Sequence, residues 1–127
     1  MPTEAPPATG TFCWRELMTT DVPTAKTFYT QLFDWTTEEM DMGENGIYTM
    51  FKNGDTTVAG LMNTQGDAPP QWMCYVTVDD VDASAAKAES LGATIAVPPT
   101  DIPNIGRFAV TVDPTGAPIG LFKGAEG

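Results

Sequence analysis

The sequence predicts an α+β domain made of two βαβββ modules, and three observations carry that prediction. Two helices are opened by Asp21 and Asp80, 59 positions apart, and each runs eleven positions further, to Leu32 and to Leu91. The dipeptides Asn45-Gly46 and Asn53-Gly54 separate short strand-like runs and favour the positive φ angles that tight hairpins need. Finally, Ala59-Gly60-Leu61 and Ile119-Gly120-Leu121 close the two halves at a displacement of 60. A displacement this constant across separate elements marks an internal duplication.

Taken in order, residues 1–9 hold Pro2, Pro6 and Pro7 with no apolar period and read as a flexible N-terminal arm. Residues 10–127 read as a single domain, with module one at 10–64 and module two at 71–124. Thr11 to Met18 suits a strand. Asp21 then offers an N-cap, with Pro23 tolerated in the first helical turn. The helix reaches about Phe33, and Ala25, Phe28, Tyr29, Leu32 and Phe33 fall on one face at helical spacing. Trp35 to Met42, Ile47 to Lys52 and Thr56 to Asn63 are strand-like, and Gln65 to Pro70 is a polar linker. The second half follows with a strand over Gln71 to Val78, an N-cap at Asp80, a helix over Ala83 to Leu91, and Gly92 placed to end it. Ala93 to Pro98, Gly106 to Val112 and Pro118 to Lys123 are its remaining strands, the last two joined by the turn Asp113-Pro114-Thr115-Gly116.

Composition narrows the function. With 127 residues, 42 % hydrophobic and 18 % charged, the chain is ordinary for a globular domain, and no apolar run is long enough to span a bilayer. No secretory signal opens it, so a cytoplasmic location is expected. A formal charge of −11 repels phosphate backbones and anionic lipids, which argues against nucleic acid and membrane partners. An acidic field could draw a cationic ligand, but a solvated surface that keeps the protein soluble is the favoured reading. Cys13 and Cys74 show no CxxC spacing and read as buried free thiols facing the helices. Ser84 and Ser90 are the only serines and there is no histidine, which removes a Ser-His-Asp triad; no GxGxxG or P-loop arrangement marks a nucleotide site.

Three stretches then carry a resemblance: Trp14 to Phe33 (WRELMTTDVPTAKTFYTQLF), Tyr75 to Gly92 (YVTVDDVDASAAKAESLG) and Asp113 to Phe122 (DPTGAPIGLF), with the D-P-x-G turn the most specific. The sequence resembles the vicinal oxygen chelate superfamily, which includes glyoxalase I, bleomycin- and fosfomycin-resistance proteins and extradiol dioxygenases. The resemblance implies that the two modules' antiparallel sheets curl into a cup, with the helices outside and a ligand within. It also implies metal ligands at four places, and here those places hold Trp14, Met73, Gly60 and Gly120, none of which binds a hard divalent ion. A carboxylate-only site would need several convergent oxygens. Only Glu16 is expected to point inward, so neither metal nor cofactor is expected.

Strand alternation sets the expected lining: Trp14, Glu16 and Met18; Met73, Tyr75 and Thr77; Val58, Gly60 and Met62; Pro118, Gly120 and Phe122. The ligand-binding set drawn from these is Trp14, Glu16, Met18, Gly60, Met62, Met73, Tyr75, Gly120 and Phe122. The two glycines are expected to leave room for a flat or apolar molecule. Against this stands the plainer reading that such side chains simply fill a core, and Tyr29, Trp35 and Tyr48 read as core. Glu16 is either a carboxylate serving as acid, base or cation anchor, or a structural group paired with a lysine or arginine or bonded to Tyr75. The leading expectation is metal-independent binding of an apolar or aromatic small molecule, similar to the sequestering bleomycin-resistance type. The alternatives are a metal-independent lyase, isomerase or cyclase using Glu16 with Tyr75, a glyoxalase- or dioxygenase-like enzyme with an unusual metal site, and a regulatory module with a filled interior. A homodimer is expected by resemblance.

Overall fold

In the computed structural model, residues 8–41, 47–64, 69–102 and 105–125 are described. The Asn45-Gly46 turn, residues 1–7 of the arm and most of the Gln65 to Pro70 linker lie outside them. Eight strands and two helices follow in the order β1 (Phe12–Thr19), α1 (Val22–Phe33), β2 (Thr36–Asp41), β3 (Ile47–Asn53), β4 (Thr56–Asn63), β5 (Gln71–Thr77), α2 (Val81–Ser90), β6 (Thr94–Ile102), β7 (Gly106–Val112) and β8 (Pro118–Gly124). No helix among the described residues is long and apolar enough to cross a membrane. The chain divides into two compact units, Trp14–Met73 and Met1–Cys13 with Cys74–Gly127.

In the Trp14–Met73 unit the strand order is β2-β3-β4-β1. β2 pairs antiparallel with β3 and β3 with β4, whereas β1 lies parallel to β4. The other unit has the order β6-β7-β8-β5, antiparallel except that β5 lies parallel to β8. The expected antiparallel sheets are therefore mixed. The physical reason is the route of the chain: β1 reaches β4 only through a helix and two intervening strands, the kind of long connection a parallel pair needs.

The helix ends follow from local chemistry. Asp21 caps α1, its carboxylate accepting from Thr24 N at 3.1 Å and from Thr24 Oγ1 at 2.8 Å, with Pro23 in the first turn. Asp80 caps α2 by accepting from Ala83 N at 3.1 Å. α2 then stops in a Schellman arrangement. Ala93 N donates to Ala88 O and Gly92 N to Glu89 O, with Gly92 at φ +104° where a side chain would be strained.

The core of the Trp14–Met73 unit is Leu17, Phe51, Ala59 and Leu61, with Val22, Ala25, Tyr29, Trp35 and Val58 packed against it. The expected apolar face of α1 is only partly used. Ala25 and Tyr29 meet this core, but Phe28, Leu32 and Phe33 are exposed, because the stripe is wider than the strip of sheet it covers. In the other unit α2 packs on β6, β7 and β8, through the buried Val81 and Ala85. Cys74, on β5, is exposed rather than buried; Cys13 is half-buried with its Sγ 3.7 Å from Tyr75 O, and both thiols are free. β6 runs past its expected end through Pro98 and Pro99. An edge strand tolerates missing N–H donors, and its pairing with β7 is interrupted by register shifts on both sides of Val97.

Candidate functional site

Alternation along β1 puts Leu17 in the α1 core and Glu16 on the opposite face, where it is buried to 7 % exposure. Beside it in register on β4 is Gly60, and beyond Gly60 on β3 is Met50. Tyr48 shares the face of Met50, since Phe51 is committed to the core. Its hydroxyl donates to Glu16 Oε2 at 2.6 Å and accepts from Trp14 Nε1 at 3.1 Å. The three groups thus form one directed chain, indole N–H to phenol to carboxylate, in which every proton points toward Glu16. Such a chain fixes the orientation of the carboxylate, because each bond polarises the next.

Gly60 is required by this arrangement. A Cβ built there would collide with the Tyr48 hydroxyl. The room that Gly60 was expected to leave is therefore taken by the protein's own phenol. The same holds in the other unit, where Gly120 is in register with Tyr75 and a Cβ at Gly120 would run into the Tyr75 ring. Tyr75 is buried and meets Phe108 edge-on at 6.4 Å. Thr77, next along β5 on the same face and in register with Phe122, has a buried hydroxyl without a hydrogen-bond partner.

Of the residues singled out from sequence, Trp14, Glu16 and Gly60 are brought together around Tyr48. Met18 and Met62 pair across β1 and β4 and are half-buried, and Met73 is buried at 3 % exposure. Tyr75, Gly120 and Phe122 lie on one face of the other unit. Tyr48, read as core from the sequence, instead turns its hydroxyl to Glu16. Its signal was present in parity: with Phe51 on the core side of β3, position 48 must share Glu16's face.

The metal positions implied by the resemblance do not fit a divalent ion. Trp14 and Met73 offer an indole and a thioether, the two glycines have no donor, and each missing side chain is replaced by a tyrosine. Among the described residues no group of three or more His, Cys, Asp or Glu could hold a metal. A separate cavity of about 530 Å³ lies at the start of α2, lined among others by Asp80, Asp82, Asp101, Arg107 and Lys123. Its acidic groups are already engaged. Asp80 caps the helix, while Arg107 binds Asp82 through two nitrogens at 2.8 and 2.9 Å and Asp101 at 2.9 Å. The guanidinium holds the Asp82 carboxyl below its ordinary range.

Comparison with known proteins agrees with this architecture. The family model described as Glyoxalase/Bleomycin resistance protein/Dioxygenase superfamily matches residues 11–121. "Putative glyoxylase CFP32" of Mycobacterium tuberculosis is 40 % identical over 118 residues, covering 92 % of this chain and 45 % of the relative. "Anthracycline biosynthesis protein DnrV" of Streptomyces peucetius is 34 % identical over 139 residues, covering 94 % and 50 %. The chain thus spans about half the length of the curated relatives it matches. Two solved structures share the fold: an extradiol ring-cleaving dioxygenase from B. fuscum (TM-score 0.62, 17 % identity, 98 % of this chain and 35 % of that one) and methylmalonyl-CoA epimerase (TM-score 0.59, 14 % identity, 95 % and 100 %). With its βαβββ-type strand order, its D-P-x-G turn and a match along nearly its whole described length, the chain belongs to the glyoxalase/bleomycin resistance/dioxygenase superfamily.

Proposed function

We propose that this chain binds a small, largely apolar or aromatic organic molecule without a metal, with Glu16 as its polar anchor. The observation that carries the reading is the buried Glu16 carboxylate, held by Tyr48 on a face with Trp14, Met18 and Met62. A carboxylate withdrawn from water stays charged only with donors around it, and the Tyr48 bond supplies one; a ligand N–H, O–H or cation would supply another. Aromatic and thioether groups around one oriented charge suit a flat molecule with a donor edge. One relative is named for the biosynthesis of an anthracycline, and anthracyclines are flat polycyclic aromatics.

A second reading, a metal-independent lyase, isomerase or cyclase, rests on the same hydrogen bond. A carboxylate whose orientation is fixed by a phenol is placed to take a proton from a bound carbon or oxygen acid onto its other oxygen, which leaves Glu16 neutral and the negative charge on the ligand while Tyr48 keeps the carboxyl in place.

The test is titration of the full chain with an anthracycline, followed by tryptophan fluorescence and thermal unfolding, with and without EDTA. Saturable quenching and a higher unfolding temperature, both indifferent to EDTA, are expected; at a hundredfold excess over the dissociation constant the stabilisation is about 2.7 kcal/mol. Glu16→Gln should weaken binding by roughly tenfold, the worth of one charge-assisted hydrogen bond. Product formation lost in Glu16→Gln while binding survives would favour the second reading. Binding that EDTA abolishes and a divalent metal restores would overturn both.

A further inference from the structure

Tyr48 lies on the Glu16 face as a bound phenol would. Its hydroxyl gives its one proton to Glu16 Oε2 at 2.6 Å, takes the Trp14 indole N–H at 3.1 Å, and rests against Gly60, where any Cβ would collide with it. One oxygen is thus read by two side chains of β1 and by a bare position on β4 that stands in register with Glu16. A hydroxyl satisfies all three. An ammonium has no lone pair for the indole N–H, and a carboxylate or an ether has no proton for Glu16. Either mismatch forfeits a hydrogen bond beside a carboxylate that is only 7 % exposed. Around the oxygen the face carries Met18, Met50 and Met62, thioethers that adapt to the outline of a ring.

Tyr48 is also the member of this group least committed to the fold. It is the second residue of β3 and half-buried, whereas Glu16 and the next residues of β3 on the core side, Thr49 and Phe51, are buried. Its backbone pairs with Met40 on β2, and the α1 core consists of Leu17, Phe51, Ala59 and Leu61, so its side chain can turn away without opening the sheet or that core. The other unit lacks this arrangement. There the tyrosine beside the glycine is the buried Tyr75, and it is the ring, not the hydroxyl, that covers Gly120. A glycine inside a strand marks the close approach of another group, and at Gly60 that group is a hydroxyl with both of its hydrogen-bonding roles filled.

Resting on the reading of Glu16 as the ligand's anchor, we infer that Trp14, Glu16 and Gly60 form a recognition slot for an aromatic hydroxyl group, which Tyr48 fills as an internal occupant and yields to a phenolic ligand. The exchange is bond for bond: the ligand's hydroxyl donates to Glu16 and accepts from Trp14 in place of Tyr48. Because Tyr48 is tethered beside the slot, it competes at high effective concentration and lowers the chain's apparent affinity for phenols.

Titration of the full chain and of its Tyr48→Ala variant with p-cresol, the isolated tyrosine side chain, tests this, followed by thermal unfolding and by the Trp14 indole N–H resonance. Removing the tethered competitor should tighten p-cresol binding about tenfold or more, and bound p-cresol should return the indole resonance toward its position in the natural chain. p-Methylanisole, whose ether oxygen has no proton for Glu16, should bind the variant about tenfold more weakly than p-cresol does. Tyr48→Phe keeps the ring in place and gives up both hydrogen bonds, so it gives a second measurement if the alanine variant fails to fold. It too should bind p-cresol several-fold more tightly than the natural chain. If neither variant binds p-cresol more tightly than the natural chain, Tyr48 is a fixed wall and the inference is overturned. Equal affinity of Tyr48→Ala for p-cresol and p-methylanisole overturns it as well. Neither result touches the anthracycline titration with its Glu16→Gln variant, so failure of the slot is distinct from failure of the anchor.

Discussion

The two units solve one problem in two ways. Each places a glycine on the strand parallel to its first strand, Gly60 beside Glu16 and Gly120 beside Tyr75, and each fills the missing side chain with a tyrosine. In the Trp14–Met73 unit the tyrosine arrives from β3 and hands its hydroxyl to Glu16. In the other, the tyrosine stands at the position 59 residues beyond Glu16 itself and lays its ring over the glycine. The lesson is that a glycine inside a strand marks a close approach, and the approaching group here is the protein's own side chain. One unit keeps a buried charge and the other replaces it with a ring.

The cores differ in the same sense. Phe51 and Leu61 are fully buried in the first unit, whereas Val81, Ala85, Ala109 and Val110 make up much of the second. Phe51→Ala should therefore produce the largest effect, about 3–5 kcal/mol of unfolding free energy, because a completely enclosed ring leaves a cavity its neighbours cannot close. Val110→Ala, which removes two methyl-sized groups, should cost about 2 kcal/mol. Denaturant unfolding of both variants checks the order, and equal losses would break the contrast between the cores.

The smallest effect expected is on the acid limb of stability. Asp21, Asp82 and Asp113 have pKa values below the ordinary 3.8, chiefly through hydrogen bonds from the Thr24 hydroxyl, from Arg107 and from the Thr115 hydroxyl respectively. The folded chain then binds fewer protons than the unfolded chain near that pH. Their contribution is complete well above 3.8 and is lost as pH falls through the lowered native values. One such group lies in the first unit and two in the second, so Asp113→Asn with Asp82→Asn should flatten the acid limb more than Asp21→Asn does. Equal slopes in chemical unfolding across acid pH would remove this difference between the units.

Most of the scaffold was legible because its signals are local. Asp21, Asp80 and Gly92 act on backbone groups within a few residues, and alternation alone put Glu16 and Gly60 on one face. What escaped depended on neighbours distant in sequence. Tyr48 reaches Glu16 only because β3 and β4 pair in a particular register, with a shift between Phe51 and Lys52 that no local signal announces. The exposure of Phe28, Leu32 and Phe33 depends on how much sheet α1 covers, and that of Cys74 on α2 lying over β6, β7 and β8. Helical periodicity gives a face, not its partner.

The occupation of Gly60's empty side by Tyr48 is tested most directly by a double-mutant cycle on unfolding free energy. Gly60→Ala should cost about 1–3 kcal/mol in the natural chain, where the new methyl displaces the phenol. In a Tyr48→Ala background the same change should be close to neutral, giving a coupling of at least about 1 kcal/mol. An equal penalty in both backgrounds would mean that the tyrosine does not fill that space.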